Sequence, residues 1–219
     1  MKHFSYTAIA LSTCLILLSG CQAEPSQQGA ATKPAVAAQH QTVPPPIQAD
    51  SKEWSDKGLE AYQQFHYDEA IAAYDKAISL DGKNYEALSG KGVALAMRGN
   101  ENGTKGDVTA GIALIQKSLS IAPDDIASFY NLALAYKING QYDDAITWFQ
   151  KVIAKDPKNT WSYYGIATIY GDQGKAKEAV EYLRKAAALD KNAVLDAART
   201  QSHFDKVRND EAFKSLVNS

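Results

Sequence analysis

Two stretches of nineteen residues in this chain follow one pattern and are identical at nine positions. Residues 66–84 read HYDEAIAAYDKAISLDGKN, and residues 141–159 read QYDDAITWFQKVIAKDPKN. The copies begin 75 residues apart, whereas matching landmarks such as Gly58 and Gly92 lie 34 apart. Since 75 is two periods of 34 plus seven, one insertion of seven residues accounts for the whole pattern. The chain is therefore expected to build the same unit several times over.

Within each copy the apolar residues recur at the spacing of a helix. In the first copy one helical face carries Ala70, Ile71, Tyr74, Ala77 and Ile78. A single helical pair cannot bury such a face by itself, so neighbouring copies must stack to form a core. The pattern predicts an all-α chain of stacked helical pairs.

The period and the residue types resemble the tetratricopeptide repeat, a pair of antiparallel helices. The resemblance rests on fixed positions that are small, aromatic or proline, which in the third copy are Ala133, Tyr136, Tyr142, Ala145, Phe149 and Pro157. It implies an all-α fold, a right-handed superhelical solenoid of four hairpins with a C-terminal helical cap. The hairpins are predicted at 51–84, 85–125, 126–159 and 160–193, and the cap at 194–219.

The seven extra residues lie between the two helices of the second copy, within RGNENGTKGDVTAG. Three glycines between positions 99 and 106 predict an extended loop there. An alternative is a calcium or small-ligand site in residues 99–107, with oxygen ligands from Asn100, Asn102, Thr104 and Asp107. The stretch lacks the acidic density and the closing Glu of an EF-hand, which favours a loop without metal.

The first twenty residues have the features of an export signal. Lys2 supplies a positive end, and Ala8 to Leu18 form an apolar run that is too short to span a bilayer. The run ends in LSGC at 18–21, which is similar to the bacterial lipobox. The resemblance implies cleavage before Cys21 and lipidation of that cysteine, and two or more acyl chains anchor a protein stably. The alternative is an ordinary secretory signal in which Cys21 is incidental.

Residues 22–50 are rich in Ala, Gln and Pro and contain no aromatic residue. Such a segment buries too little apolar surface to offset the entropy lost on ordering. Residues 21–50 are therefore predicted to be a lipidated cysteine followed by a disordered tether.

Catalysis, cofactors and nucleic-acid binding are not indicated. The formal net charge is −2, and the lysines are scattered among acids rather than gathered into a basic stripe. The histidines downstream of the signal, His40, His66 and His203, have no metal-ligand partner at the usual spacing. The sequence predicts no catalytic residue, no metal site and no cofactor.

The family resemblance implies a concave groove lined by the first helix of each pair. Carried over position by position, the predicted groove residues are Val93, Tyr130, Leu134, Lys137, Trp161, Tyr164 and Thr168. The carboxylate clamp of chaperone-binding members is absent, because its places are taken by Ser55, Leu59, Ser89, Gly90, Ala127 and Asn131. The groove is expected to suit an extended peptide or a partner's helix. In the alternative, Trp161 and Tyr130 merely pack between neighbouring helices.

These observations predict a lipid-anchored, extracytoplasmic scaffold of the bacterial envelope that binds a protein or peptide partner. A resemblance to lipoproteins such as pilotins and adaptors of wall hydrolases implies a role in envelope assembly. Gln22, directly after the cysteine, favours the outer membrane over the cytoplasmic one. The alternatives are a structural or homo-oligomeric lipoprotein, and ligand binding through residues 99–107.

Overall fold

The computed structural model describes residues 43–219, and within that range the chain forms helices and no strands. The α-helices are α1 (Ala49–Gln63), α2 (Tyr67–Leu80), α3 (Tyr85–Asn102), α4 (Lys105–Ile121), α5 (Ile126–Ile138), α6 (Tyr142–Lys155), α7 (Thr160–Asp172), α8 (Ala176–Leu189), α9 (Lys191–Thr200) and α10 (Glu211–Val217). A 3₁₀ turn, Ser202–Phe204, links the last two. The helices α1 to α8 pack as consecutive pairs, so the predicted all-α fold of four hairpins and a helical cap is confirmed.

A short polar residue precedes the first helix of each of the last three pairs. Asn84, Asp125 and Asn159 each accept a hydrogen bond from the backbone N–H three residues later. This is N-capping, which satisfies a backbone donor that has no partner inside the helix. The caps fix where these helices begin.

The residues that define the repeat occupy equivalent places. Gly58, Gly92, Ala133 and Ala167, which share the eighth position, are all buried. The large residues of the twenty-fourth position, Tyr74, Ile115, Phe149 and Leu183, are buried as well. Between α3 and α4 a Cβ on Gly111 would overlap the Gly92 carbonyl oxygen, so small residues are what let paired helices approach closely.

The insertion in the second pair is helical, and the predicted extended loop is wrong. The helices α3 and α4 have 18 and 17 residues, against 13 and 14 in the pair that follows. The turn between them is only Gly103 and Thr104, with Gly103 at a φ of 69°. Buried Val108 packs with Ala96 and Ile112, and this tertiary packing overrides the low helix propensity of the local glycines and asparagines.

The two ends of the array differ. The C-terminal segment after α8 covers the last pair with buried residues that include Val194, Leu195, Phe204, Val207 and Phe213. At the other end residues 43–48 lack helical structure and lead into α1, which begins two residues before the predicted first copy. The signal peptide, Cys21 and most of the tether lie outside the described residues. Between residues 43 and 219, no helix has the length and apolar character needed to cross a bilayer.

Candidate partner-binding groove

A cavity of about 230 Å³ opens among the first helices of the first three pairs, α1, α3 and α5. The six positions that carry the clamp in chaperone-binding tetratricopeptide repeats all line it, together with other residues of these helices, Tyr74 of α2 and Asp125. The lining is Lys52, Ser55, Asp56, Leu59, Tyr62, Tyr74, Glu86, Ser89, Gly90, Val93, Asp125, Ala127 and Asn131. Asn131 donates to the Ser89 hydroxyl at 3.0 Å, which ties α5 to α3 beside the cavity.

The floor of the cavity is the ring of Tyr74, which comes from the second helix of the first pair. A Cβ on Gly58 or on Gly90 would lie within 2.7 Å of this ring, so the two glycines form the slot that it occupies. Tyr74 is 3% exposed and lines the cavity, yet its hydroxyl makes no hydrogen bond within residues 43–219. Burial raises the pKa of this phenol, and the neighbouring Tyr62, Asp56 and Glu86 raise it further, so the hydroxyl stays protonated at neutral pH.

The rim of the cavity carries one cation among three carboxylates. Lys52 pairs with Asp56 one turn along α1 and with Glu86 of α3 at 3.5 Å. These pairs raise the pKa of Lys52, with the Asp56 hydrogen bond as the largest cause. The third carboxylate, Asp125, accepts the Ser128 N–H as the cap of α5. The rim therefore holds an excess of negative charge with Lys52 in place.

Two of the predicted groove residues, Tyr130 and Trp161, are aromatic side chains in edge-to-face pairs. Tyr130 meets Phe149 with ring centroids 5.6 Å apart, and burial raises its pKa to about 12. Trp161 meets Tyr164 at 5.5 Å but is 45% exposed, which makes it the most accessible predicted groove residue.

At the fourth pair the predicted groove positions are covered by the chain's own C-terminal segment. The Tyr164 hydroxyl donates to the Gln201 side chain at 2.9 Å, and its ring meets Phe204. Thr168 is buried and donates to the Gly165 carbonyl. A Cβ on Gly171 would lie 2.5 Å from the His203 carbonyl oxygen, which shows how closely this segment lies on α7.

Lys137 of α5 joins the same covered region. Its ammonium donates to Nε2 of His203 at 3.2 Å, and Nδ1 of His203 donates to the Asp172 carboxylate at 2.9 Å. A lysine ammonium has no acceptor, so this chain of contacts assigns the imidazole proton to Nδ1. Burial lowers the pKa of Lys137 to about 8, against the opposing attraction of Asp172.

The structure thus distributes the predicted groove residues among three environments. Val93 lines the cavity, Trp161 is accessible, and Tyr130 and Leu134 pack beside Phe149. Lys137, Tyr164 and Thr168 lie at or beneath the C-terminal segment. The sequence analysis did not predict that Tyr74 forms the cavity floor. The signal that could have indicated it is Gly90, the sixth residue of the next copy, which leaves space for the Tyr74 ring.

The alternative site at 99–107 has no support from the part of the chain that the structure describes. Residues 99–102 belong to α3 and residues 105–107 to α4. Asp107 is engaged by Arg98 at 2.8 Å, and Arg98 also pairs with Asp68. Among residues 43–219 no group of three or more His, Cys, Asp or Glu side chains is placed to hold a metal ion.

Comparison with known proteins identifies the repeats. Family models described as tetratricopeptide repeat match residues 55–126 and 124–192. The chain is similar to the structure of MamA from Desulfovibrio magneticus RS-1, at 18% identity over 79% of this chain and 96% of that one, with a TM-score of 0.53. A thermophilic TPR protein of Thermus thermophilus matches at 14% identity over 77% and 97%, with a TM-score of 0.56. At these identities the structures share the fold.

A curated relative matches part of the chain. It is the cytochrome c-type biogenesis protein CycH of Rhizobium meliloti, 37% identical over 83 residues. The match covers 37% of this chain and 20% of CycH, so the chain spans about a fifth of that relative's length.

Proposed function

The chain belongs to the tetratricopeptide repeat family, and from that membership we propose that it is a non-catalytic scaffold that binds a protein partner along its groove. The observation that carries the proposal is the open cavity among α1, α3 and α5, whose floor is the Tyr74 ring with a hydroxyl that has no partner in the described residues. Protein-binding surfaces concentrate their binding energy in a few aromatic anchors, and Trp161 is an exposed aromatic at a groove position.

Truncation of the exposed indole tests this use of the groove. The full chain, its Trp161→Ala variant and a Phe65→Ala variant are each used to capture proteins from membrane extracts of the source cells. Phe65 is a matched control, because it is an exposed aromatic in the α1–α2 turn and does not line the cavity. We expect Trp161→Ala to lower capture of the main partner at least tenfold, the loss of an aromatic hot spot, while Phe65→Ala retains it.

Equal capture by both variants, with unchanged helical circular dichroism, would contradict a role for the exposed indole. A soluble chain that captures only copies of itself, and that sediments as an oligomer, would favour the structural alternative.

We propose further that the scaffold is anchored at the outside of a bacterial membrane through Cys21, with residues 1–20 as signal and 21–50 as tether. The order of positive end, short apolar run and LSGC supports this proposal. A relative named for cytochrome c-type biogenesis, matched over 83 residues, supports a role in the assembly of other proteins.

The two cysteines provide a matched test of the anchor, because Cys14 lies inside the apolar run and Cys21 is the last residue of LSGC at its end. Cys21→Ser should abolish labelling by radioactive palmitate and move the chain from the membrane fraction to the soluble one. Cys14→Ser should leave both unchanged. Labelling that survives Cys21→Ser would overturn the anchor and leave the groove proposal intact.

A further inference from the structure

We infer that the cavity among α1, α3 and α5 accepts a lysine or arginine side chain from an extended segment of the partner. This inference rests on the proposed function, since it names what the same groove recognises. Three observations carry it: the charge of the rim, the free hydroxyl on the floor and the size of the cavity.

The negative charge of the rim favours a ligand that carries positive charge. Asp56, Glu86 and Asp125 line the cavity with a single ammonium, that of Lys52, which pairs with the first two, so an incoming cation meets a net negative site. The same carboxylates act on other groups nearby: Asp56 and Glu86 raise the pKa of Tyr74, and Asp125 helps to raise that of Tyr85. A carboxylate ligand would meet like charge here, which is strongly unfavourable at a partly desolvated interface.

The floor of the cavity offers a polar group that the chain itself leaves unused. The Tyr74 ring is almost fully buried between Gly58 and Gly90, yet its hydroxyl faces the cavity without a partner in the described chain. The hydroxyl retains some accessible surface at the cavity, so a ligand N–H can take the place of the water that would otherwise solvate it. An ammonium or guanidinium N–H would donate to this hydroxyl while its charge remains near the carboxylates.

The size and the walls suit one long side chain. Sites for drug-sized ligands enclose about 300–1,000 Å³, and this cavity is smaller, at about 230 Å³. Leu59 and Val93 provide apolar wall between the polar floor and the charged rim. Lysine and arginine place an apolar stem beneath a charged head, which matches that arrangement.

The test uses defined peptides. Four pools of blocked nonapeptides are random except for a central residue fixed as lysine, arginine, norleucine or glutamate. Each pool is passed over the immobilised full chain, and the retained peptide is quantified. We expect the lysine and arginine pools to be retained about tenfold more than the glutamate pool, with a preference over norleucine that shrinks as salt is raised.

Variants assign the preference to the cavity. Glu86→Gln and Asp56→Asn should each reduce the preference for lysine over norleucine several-fold. Tyr74→Phe, which keeps the ring in its slot, should lower retention of the lysine pool. Glu101→Gln is the matched control, because Glu101 lies on the same helix as Glu86 and does not line the cavity. Each variant's melting by circular dichroism verifies that it is folded.

The outcomes separate this inference from the proposed function. Equal retention of the four pools, with Glu86→Gln behaving like Glu101→Gln, would overturn the cation site. The groove proposal would still stand if Trp161→Ala lowered retention of every pool. Retention of none of the pools would overturn the cation site, and the capture experiment with Trp161→Ala would still decide the groove proposal.

Discussion

The two halves of the groove use the same repeat positions in opposite ways. Among α1, α3 and α5 these positions surround an open cavity, with the Tyr74 hydroxyl unpartnered within the described chain. On α7 the equivalent positions, apart from that of exposed Trp161, meet the chain's own residues, as Tyr164 does with Gln201 and Phe204. The next segments along the chain therefore decide whether a groove position meets solvent, a partner or the protein itself.

A second contrast lies beneath the surface of the two halves. Tyr74 and Phe149 occupy the same place in their copies, and each ring packs against a glycine of the next copy, Gly90 and Gly165 respectively. Phe149 is completely buried among Ala133, Ala145 and other residues of its cluster, whereas Tyr74 borders the cavity. In the open half, the Tyr74 ring therefore has space to move toward the cavity, whereas the Phe149 ring is enclosed on all sides.

The largest effect is expected from Phe204→Ala, which removes the residue that closes the covered half. Its ring is fully buried and packs on Tyr164 and Phe213. Loss of such a side chain removes buried apolar area and leaves a cavity, so the free energy of unfolding should fall by about 3–5 kcal/mol. Urea unfolding followed by circular dichroism measures it.

Phe65→Ala is the control for that loss, because Phe65 is 72% exposed and should change stability by less than about 0.5 kcal/mol. Similar losses in the two variants would mean that the C-terminal segment does not hold the covered half closed.

A smaller difference is expected between Gly165→Ala and Gly90→Ala. In both, the new methyl would lie 2.6 Å or less from an aromatic ring, that of Phe149 or Tyr74. Overpacking of an enclosed site costs about 1–3 kcal/mol, and we expect that cost at Gly165. At Gly90 the tyrosine can shift toward the cavity, so the loss should be smaller by about 1 kcal/mol.

Gly106→Ala is the control for both glycines. Gly106 lies in α4 with open space around it, so the substitution should stabilise the chain by about 0.5–1 kcal/mol through helix propensity alone. Urea unfolding measures the free energy of unfolding of each variant. Equal losses in Gly90→Ala and Gly165→Ala would contradict the contrast between a Tyr74 ring that can move and an enclosed Phe149 ring.

The fold could be predicted from the sequence because its signal is periodic and local. Small residues at Gly58 and Ala133 recur where helices must approach closely, and one period predicts all four pairs. The prediction for the insertion is wrong because Gly99 and Asn102 indicate a turn locally. Their helix is stabilised by nonlocal packing of Val108 and by the ion pairs of Arg98, which no local pattern shows.

The candidate site was predictable only in part. Positions within the repeat identify the helix face on which Val93 and Trp161 lie, but the cavity also depends on Tyr74, which reaches it from the second helix. The covering of Tyr164 depends on residues nearly forty positions later, and a helical pattern in those residues does not say where they pack. Nonlocal contacts of this kind require the structure.

A further effect, which depends on pH, is expected in the covered half through Lys137. Burial lowers the pKa of this lysine to about 8 in the folded chain, whereas an unfolded lysine titrates near pH 10.4. Between these values the unfolded state binds more protons, so stability should rise with pH. Relative to Lys137→Met, the free energy of unfolding should rise by about 1–2 kcal/mol from pH 8 to pH 10. Subtracting the variant's curve removes contributions from tyrosines that begin to titrate at the upper end. Parallel curves for the two proteins in urea titrations would show that Lys137 is solvated, and that the C-terminal segment leaves this part of the groove open.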